Sequence, residues 1–396
     1  MESARRNVWL LACCQALLLT NAVTLIAVSS LVGYAIAANK SLATMPATLY
    51  TIGVAITAFP ASMWMKRVGR RNGFLTGTAF GVIGAVIATL AVARADFVLF
   101  CVSMPIMGAY NAFGQYYRFA AADAATTDFK AKAISFVLAG GLAGGIIGPE
   151  VSRHTRELSQ PEYLATFASL IVFTFLAMAI VSFLRIPETA GDTAGAPPRP
   201  LREIARQPTF IVAVMVGALG YAVMNLLMTA TPLAMTFCGH PYDAAAFVLA
   251  SHVIGMFAPS FFTGSLIKRF GVLRVMLAGV ACLCACVGFA VSGQAVMNFW
   301  WALVLLGVGW NFTYIGGTTL LTETYRPSEK AKAQGANEIT VFGVQALSSF
   351  SAGVLVNSAG WQIVNYAAVP MILAALGAAA WLLAARRRNP GAPSAP

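Results

Sequence analysis

Apolar runs of about twenty residues follow one another along the whole chain, and this feature leaves few folds open. The 396-residue sequence is 59% hydrophobic and only 10% charged, whereas soluble domains carry about 25% charged residues. A helix needs about 20 apolar residues to cross the core of a bilayer. The runs are continuously apolar and do not alternate as the strands of a membrane barrel do. The sequence therefore predicts an all-α membrane protein.

Twelve such runs can be marked, six on either side of a segment rich in Pro, Gly and charge. This segment, residues 186–208, has the composition of a linker. It separates residues 1–185 from residues 209–396, and we predict one six-helix bundle in each. The first run is too long for the apolar region of a cleavable signal peptide. The predicted spans are 8–37, 45–65, 73–93, 97–121, 133–151, 163–185, 209–237, 244–266, 273–293, 297–322, 334–357 and 362–385.

The basic residues predict the orientation of these spans. The net charge is +12, which by itself could suggest a nucleic-acid partner. With both termini in the cytoplasm, however, 21 of the 26 Lys and Arg fall in cytoplasmic loops, four fall outside and Arg118 lies within a span. Cytoplasmic loops of membrane proteins carry the excess of basic residues. We therefore expect a multi-pass inner-membrane protein that contacts lipid and not nucleic acid.

The two halves repeat each other. The tetrapeptide Lys-Ala-Lys-Ala occurs at 130–133 and again at 330–333, in the loop after the fourth span of each half. The same offset of 200 pairs Asn111 with Asn311 and Asp123 with Glu323. An offset of 202 pairs the loops KRVG at 66–69 and KRFG at 268–271. These matches favour an internal duplication.

Two six-helix halves with a basic loop after the second span resemble the major facilitator superfamily. The loop 62–71, SMWMKRVGRR, is similar to the family motif G-x-x-x-D-R-x-G-R-R. Lys66 and Lys268 stand where the family has Asp, so an ion pair made by that Asp must be replaced by another contact. The resemblance implies that the loops control the conformational change of the transporter, through Arg67, Gly69, Arg70, Arg71, Arg269 and Gly271.

Glycines crowd the fifth predicted span, GGLAGGIIGPE at 140–150. Gly144, Gly148 and Pro149 look like a motif of the antiporters of the family, although Ser152-Arg153 replaces the Gly-Gly expected after it. Small residues also let membrane helices approach closely. Both interpretations, an antiporter element and plain helix packing, stay open.

Polar and aromatic residues of the first, fourth, seventh and tenth spans are the candidate substrate ligands. In the family these spans surround a central cavity, where substrates bind near the membrane midplane. Asn111, Gln115 and Arg118 share one helix face. Amides can instead bond neighbouring helices, and aromatic residues can mark the membrane interface. The predicted ligands are Asn21, Asn111, Gln115, Arg118, Tyr221, Asn225, Trp310, Asn311 and Tyr314.

Three residues are candidates for proton coupling. Glu338 lies inside the eleventh span, His252 inside the eighth, and Asp123 at the end of the fourth. Ionisable residues in spans are costly and tend to be functional. His252 could equally be a hydrogen-bonded structural histidine. Arg118 either binds an anionic group or pairs with a carboxylate such as Asp123 or Glu338.

The function predicted by these features is secondary transport. The sequence carries no catalytic or phosphate-binding motif, the seven Cys suit apolar packing better than a metal site, and we expect no cofactor and a monomer. A cavity rich in amides and aromatic rings favours a planar polar metabolite; the vitamin permeases of the superfamily, including riboflavin importers, are the family analogy. The alternatives are a proton-coupled drug efflux antiporter, which the absence of an acid in the first span weighs against, and a non-transporting membrane sensor.

Overall fold

The computed structural model describes residues 2–39, 42, 45–186 and 198–388, and within these ranges its regular structure is entirely helical. Residues 187–197 of the predicted linker and the terminal residues 389–396 lie outside the described residues. The α-helices are α1 (Glu2–Ile36), α2 (Met45–Ala93), α3 (Phe97–Gly114), α4 (Tyr117–Ala124), α5 (Lys130–Thr155), α6 (Leu164–Ser182), α7 (Leu201–Ala205), α8 (Pro208–Phe237), α9 (Tyr242–Phe257), α10 (Ser260–Phe270), α11 (Val272–Val291), α12 (Val296–Leu321) and α13 (Lys330–Arg388).

The prediction of twelve spans in two sets of six is confirmed. Nine helices of the described residues are long and apolar enough to cross a membrane, and the bent pair α9–α10 makes a tenth. Helix α2 has 49 residues, about 74 Å at 1.5 Å per residue, which is too long for one span. It breaks at Gly69, as α13 does at Gly360. The two parts of α2 count as separate spans, which brings the number to eleven. The part of α13 before Gly360, which carries Glu338 and is more polar, is the twelfth.

The break in α2 depends on glycine at one position. Gly69 has φ 82°, and Gly271, its counterpart in the second half, has φ 88° between α10 and α11. This left-handed region is nearly free of strain for glycine alone among the common residues. The repeated loop therefore turns the chain back by the same backbone device in both halves. Both glycines belong to the predicted gating set.

Other span ends follow from local sequence. Asp96 caps α3, because its Oδ1 accepts a hydrogen bond of 2.9 Å from the backbone N–H of Leu99. Pro208 occupies the first turn of α8, where its missing N–H costs nothing. The predicted fourth span is interrupted between α3 and α4, at Gln115 and Tyr116. Backbone groups released at such a break need other partners inside a membrane.

The chain divides into two compact units. The first comprises Met1–Ala125 and Phe136–Ala190, and the second comprises Thr126–Ser135 and Gly191–Pro396. The predicted halves have other limits, since they assign residues 126–135 to the first bundle; the limits at 185 and 209 stay predictions.

Glycines of α5 pack directly on α1 within the first unit. A Cβ at Gly144 would lie 2.4 Å from the carbonyl oxygen of Ala16, and Thr24 Oγ1 donates to the carbonyl of Gly148 at 2.9 Å. No side chain fits where two backbones approach this closely. The contacts fit the packing interpretation of the glycine run, and they leave its antiporter interpretation untested.

Candidate functional site

A pocket in the first unit lies between α1, α2 and α3. Its α1 wall carries residues spaced i, i+3, i+4 and i+7, which is one face of a helix. It encloses about 170 Å³ of space between atoms, none of it wide enough for a water molecule in this conformation. The pocket would therefore have to widen to accept the edge of a ligand. Its lining residues are Leu18, Asn21, Ala22, Leu25, Tyr50, Met107, Tyr110 and Asn111.

Two side chains of this pocket carry buried polar atoms that have no hydrogen-bond partner. Asn21 is 1% exposed; its Nδ2 donates to the carbonyl oxygen of Leu17 at 3.0 Å, and its Oδ1 has no partner. The hydroxyl of Tyr110, which is 2% exposed, has none either. Most buried polar groups are hydrogen-bonded, and an exception calls for an explanation. Asn21 is one of the ligands predicted from the sequence, whereas Tyr110 is not.

A polar chain runs from the pocket along α3 and α4. Gln115 Nε2 donates to Asn111 Oδ1 at 2.8 Å, and Arg118 Nη1 donates to the backbone carbonyl of Gln115 at 2.8 Å. The break between α3 and α4 exposes this carbonyl. Arg118 is 2% exposed, and its guanidinium lies 4.6 Å from the ring centroid of Phe119. The predicted set Asn111, Gln115 and Arg118 is thus brought together, with Arg118 held partly by the helix break.

The second unit has a cluster of aromatic rings on α8 and α12. Trp310 stacks on Tyr314 with centroids 4.9 Å apart, and Tyr221 meets both rings edge-on at 5.5 and 5.3 Å. Phe342 of α13 lies 6.4 Å from Tyr221, and Phe257 of α9 lies 5.7 Å from Trp310. The indole Nε1 of Trp310 is buried and has no hydrogen-bond partner. Three predicted ligands, Tyr221, Trp310 and Tyr314, therefore form one cluster.

The two remaining amides of the second unit differ in their contacts. Asn225 Nδ2 donates to the carbonyl oxygen of Gln345 at 3.2 Å. Asn311 is fully buried: its Nδ2 donates to Met256 O at 2.7 Å and to Ser260 Oγ at 2.6 Å, while its Oδ1 accepts from Thr263 at 2.7 Å. An amide engaged in this way has little capacity left for a substrate. Asn311 fits the interhelical alternative that the sequence left open, and we omit it from the site proposed below.

The three candidates for proton coupling lie in different surroundings. Glu338 is fully buried and accepts a hydrogen bond of 2.6 Å from Asn337 Nδ2. His252 is fully buried, with Nδ1 2.7 Å from the carbonyl oxygen of Leu303. Asp123 instead forms an ion pair of 3.0 Å with Arg70, a residue of the predicted gate. Because this pair ties Asp123 to the basic loop, we group it with the gating residues below.

The basic loop of the first unit is anchored by two of its arginines. Arg70 is 8% exposed and donates to Asp123 from both Nε and Nη2. Arg71 Nη2 donates to the carbonyl oxygen of Ser182 at 2.8 Å. Arg67 and, in the second unit, Arg269 are exposed. The family has Asp at the position of Lys66. The first loop of this chain instead makes an ion pair through Arg70, four residues after Lys66.

A buried ion pair that is not predicted from the sequence lies in the second unit. Glu329 is fully buried and accepts hydrogen bonds of 2.8 and 2.7 Å from the guanidinium of Arg199, a residue of the predicted linker. The backbone N–H groups of Arg199 and Arg326 also donate to it. The hydrogen bonds from Arg199 lower the pKa of Glu329 from 4.5 to about 2. In the stretch Arg326-Pro-Ser-Glu329 the acid lies where it can cap the turn. This spacing is the sequence signal from which a structural role of Glu329 could have been predicted.

No group of three or more His, Cys, Asp or Glu in the described ranges is arranged to hold a metal ion. The buried cysteines, Cys14, Cys101 and Cys286, belong to helices in the two units and are free thiols.

Comparison with known proteins bears on the whole chain. The model of the Major Facilitator Superfamily matches residues 8–342 and 221–396. The riboflavin transporter RfnT of Brucella anthropi is 40% identical over 373 residues, which cover 93% of this chain and 94% of that protein. Two uncharacterized MFS-type transporters of Bacillus subtilis are also similar. YddS is 27% identical, and the match covers 90% of this chain and 86% of YddS. YdeG is 29% identical, and the match covers 83% of this chain and 80% of YdeG.

Solved transporter structures share the fold at low sequence identity. The human organic anion transporter MFSD10 superposes with a TM-score of 0.76 at 13% identity, covering 95% of this chain and 99% of its own. The fucose:proton symporter FucP of E. coli superposes with a TM-score of 0.74 at 15% identity, covering 94% and 98%. Similarity at these identities concerns the fold alone.

Proposed function

Because the chain belongs to the Major Facilitator Superfamily of secondary transporters, we propose that it imports riboflavin by alternating access. The observation that carries this proposal is the identity of 40% to the riboflavin transporter RfnT. That similarity extends over 93% of the chain, so it spans both halves. The similarity is therefore not limited to the basic loops that carry the family motif.

Each unit, taken by itself, has side chains that suit a planar heterocycle. Riboflavin carries a flat tricyclic ring with hydrogen-bonding groups along one edge. Trp310 and Tyr314 are large, rigid rings that stack on each other and are 2% and 3% exposed in this conformation. A flavin ring would stack on them at low entropic cost once alternating access uncovers their faces. Asn21 and Asn111 supply amide donors and acceptors in a pocket that is otherwise apolar. Few polar groups in a mostly apolar site are typical of small-molecule recognition.

The proposed setting is the inner membrane, with both termini in the cytoplasm and the protein acting as a monomer. The excess of Lys and Arg in alternate loops supports this orientation. The chain would bind and release its substrate without a covalent step or a cofactor. For proton coupling we propose Glu338, because it is a buried carboxyl group inside a span. Asp123, paired with Arg70, would belong to the gate.

Uptake of labelled riboflavin by a riboflavin-requiring bacterium that lacks its own importer tests the proposal. Cells expressing the chain should grow on low riboflavin and accumulate the label, and a protonophore should abolish accumulation if uptake is proton-driven. Trp310→Ala should lose most of the uptake. The matched control is Trp301→Ala, which removes an exposed tryptophan from the same helix and should transport normally.

Absence of riboflavin uptake when the protein is present in the membrane at a normal amount would contradict the proposal. If the same cells also gained resistance to dyes or antibiotics, the result would favour the efflux antiporter instead.

A further inference from the structure

The pocket of the first unit contains polar atoms that the protein itself does not satisfy. Asn21 Oδ1 and the Tyr110 hydroxyl are buried without a hydrogen-bond partner, and both side chains line the pocket. An unsatisfied buried group costs about 1–3 kcal/mol. Two such groups in one small pocket indicate that a ligand supplies the missing partners.

The hydrogen bonds that these side chains already make determine what they can offer. Asn21 uses Nδ2 on the carbonyl of Leu17, so its remaining atom, Oδ1, is an acceptor. Asn111 uses Oδ1 to accept from Gln115, so Nδ2 is its donor side. The hydroxyl of Tyr110 can donate. The pocket therefore presents one acceptor and two donors among the apolar side chains of Leu18, Leu25 and Met107.

We propose that this pocket recognises the imide edge of the flavin ring. An imide displays a carbonyl, an N–H and a second carbonyl in a row, which is the complement of two donors and one acceptor. The ring N3–H would donate to Asn21 Oδ1, and the flanking carbonyl oxygens would accept from Tyr110 and Asn111. The pocket is too narrow for a water molecule in this conformation, so a ring edge would enter it only when the helices move apart during alternating access. This inference rests on the proposed function and adds to it which edge of the substrate the protein recognises.

Binding of three flavins to the purified full-length protein tests the assignment, with quenching of flavin fluorescence as the signal. Riboflavin and lumiflavin both present the imide N3–H, whereas 3-methylriboflavin replaces that hydrogen with a methyl group. The wild-type protein should bind riboflavin about 10–100-fold more tightly than 3-methylriboflavin, because the methyl group leaves Asn21 Oδ1 unpaired and crowds the pocket. Lumiflavin, which lacks the ribityl chain, should still be preferred over 3-methylriboflavin.

Variants of the pocket should remove this preference selectively. Asn21→Leu keeps the side-chain size and removes the acceptor, so the ratio of the two dissociation constants should fall to within about threefold of unity. Tyr110→Phe removes only a hydroxyl and should weaken riboflavin binding about 5–10-fold.

Asn365→Leu is the matched control for Asn21→Leu. Asn365 is fully buried, donates Nδ2 to the carbonyl four residues earlier and has an unpartnered Oδ1, as Asn21 does. It lies in α13 and does not line the pocket. Asn365→Leu should therefore keep the wild-type ratio.

The outcomes separate this inference from the proposed function. If wild-type protein binds riboflavin and 3-methylriboflavin equally, or if folded Asn21→Leu keeps the wild-type ratio, the imide assignment is wrong while riboflavin transport stands. If wild-type protein binds no riboflavin, both proposals fail. Should Asn21→Leu not yield folded protein, Tyr110→Phe decides, since unchanged riboflavin affinity in that variant overturns the assignment.

Discussion

Asn111 and Asn311 occupy the same position in the two halves of the chain, 200 residues apart, yet their surroundings differ. Asn111 lines a pocket and uses its carbonyl oxygen to accept from Gln115. Asn311 is fully buried and makes hydrogen bonds with Met256, Ser260 and Thr263. A repeat of sequence has thus not produced a repeat of contacts: one amide lines a pocket and the other joins helices.

The ion pairs of the two halves differ in the same way. Asp123 ends the fourth span of the first half and pairs with Arg70, whereas its counterpart Glu323 pairs with Arg386 at the end of α13. At the position of Arg70 the second half has Val272. The second half has in addition the pair of Glu329 with Arg199. Duplicated loops therefore keep their turns, through Gly69 and Gly271, and acquire different charge partners.

The largest effect is expected at Glu329, for which the first half has Phe129. Glu329→Ala should lower the free energy of unfolding by about 3 kcal/mol, because it leaves the guanidinium of Arg199 without its partner. Glu203→Ala is the control, since this exposed carboxylate lies 4.0 Å from the same guanidinium and should contribute less than about 1 kcal/mol. If unfolding experiments showed that both variants lose the same free energy of unfolding, the buried Glu329 would contribute no more to stability than the exposed Glu203.

The same pair predicts a dependence on pH. The pKa of Glu329 is lowered to about 2 in the folded protein, so its contribution to stability is complete above pH 4.5 and declines as the pH falls from about 4.5 towards 2. Glu329→Gln should lose this part of the acid dependence. Unfolding temperatures between pH 6 and pH 3 check the prediction, and parallel curves for wild type and variant would argue against it.

Asn311 and Asn111 should separate stability from binding. Asn311→Leu should cost about 2 kcal/mol of stability, because it removes interhelical hydrogen bonds and strands Ser260 and the carbonyl of Met256. Asn111→Leu should cost less than about 1 kcal/mol. Denaturation in detergent measures both. Loss of riboflavin affinity in a stable Asn311→Leu protein would return Asn311 to the substrate site.

This contrast also marks how far the sequence could predict the molecule. The number of spans and the turn at Gly69 follow from apolar run length and glycine, which are local properties. The roles of Asn111 and Asn311 do not, because each depends on what the opposing helices place near the amide. In sequence both asparagines look alike.

Glu329 illustrates the same limit from another direction. An acid in a basic loop is normally a solvated residue, and only tertiary structure places Arg199 of the linker against Glu329. The break at Gln115 is similarly invisible, since residues 97–121 have the composition of one uninterrupted span. Burial of Tyr110 as an unpartnered hydroxyl could not be deduced from its position beside Asn111.

The aromatic cluster should contribute more to binding than any amide. Trp310→Ala should weaken riboflavin affinity about 10–100-fold, because stacking of a base-like ring on an aromatic face is worth about 1–3 kcal/mol. Trp310→Phe should lose less, since a ring remains for stacking. Fluorescence quenching by the purified variants gives the affinities, and equal affinity of wild type and Trp310→Ala would exclude the cluster from the site.

The loop of the first half should affect rate and not affinity. Arg70→Ala should slow riboflavin turnover about tenfold with its dissociation constant unchanged, because the pair with Asp123 stabilises one conformation of the transporter and does not contact the proposed ligands. Arg67→Ala should slow turnover too, but by less, because Arg67 is exposed. Initial uptake rates in proteoliposomes, set beside equilibrium binding, check both. A fall in affinity as large as the fall in rate would refute the gating assignment.

The smallest effect is expected at Asn111 itself. Asn111→Ala should weaken riboflavin binding about 3–10-fold, the loss of one hydrogen bond in a site that keeps its other contacts. The unfolding temperature should stay within about 1 °C of wild type. Among the described residues, the Asn111 side chain bonds only to Gln115, one turn away, so it does not join two helices. Asn365→Ala, a buried amide outside the pocket, should leave affinity unchanged. If Asn111→Ala instead reduced stability and spared affinity, both copies of the repeated asparagine would be structural, and recognition in the first half would depend on Asn21 and Tyr110 alone.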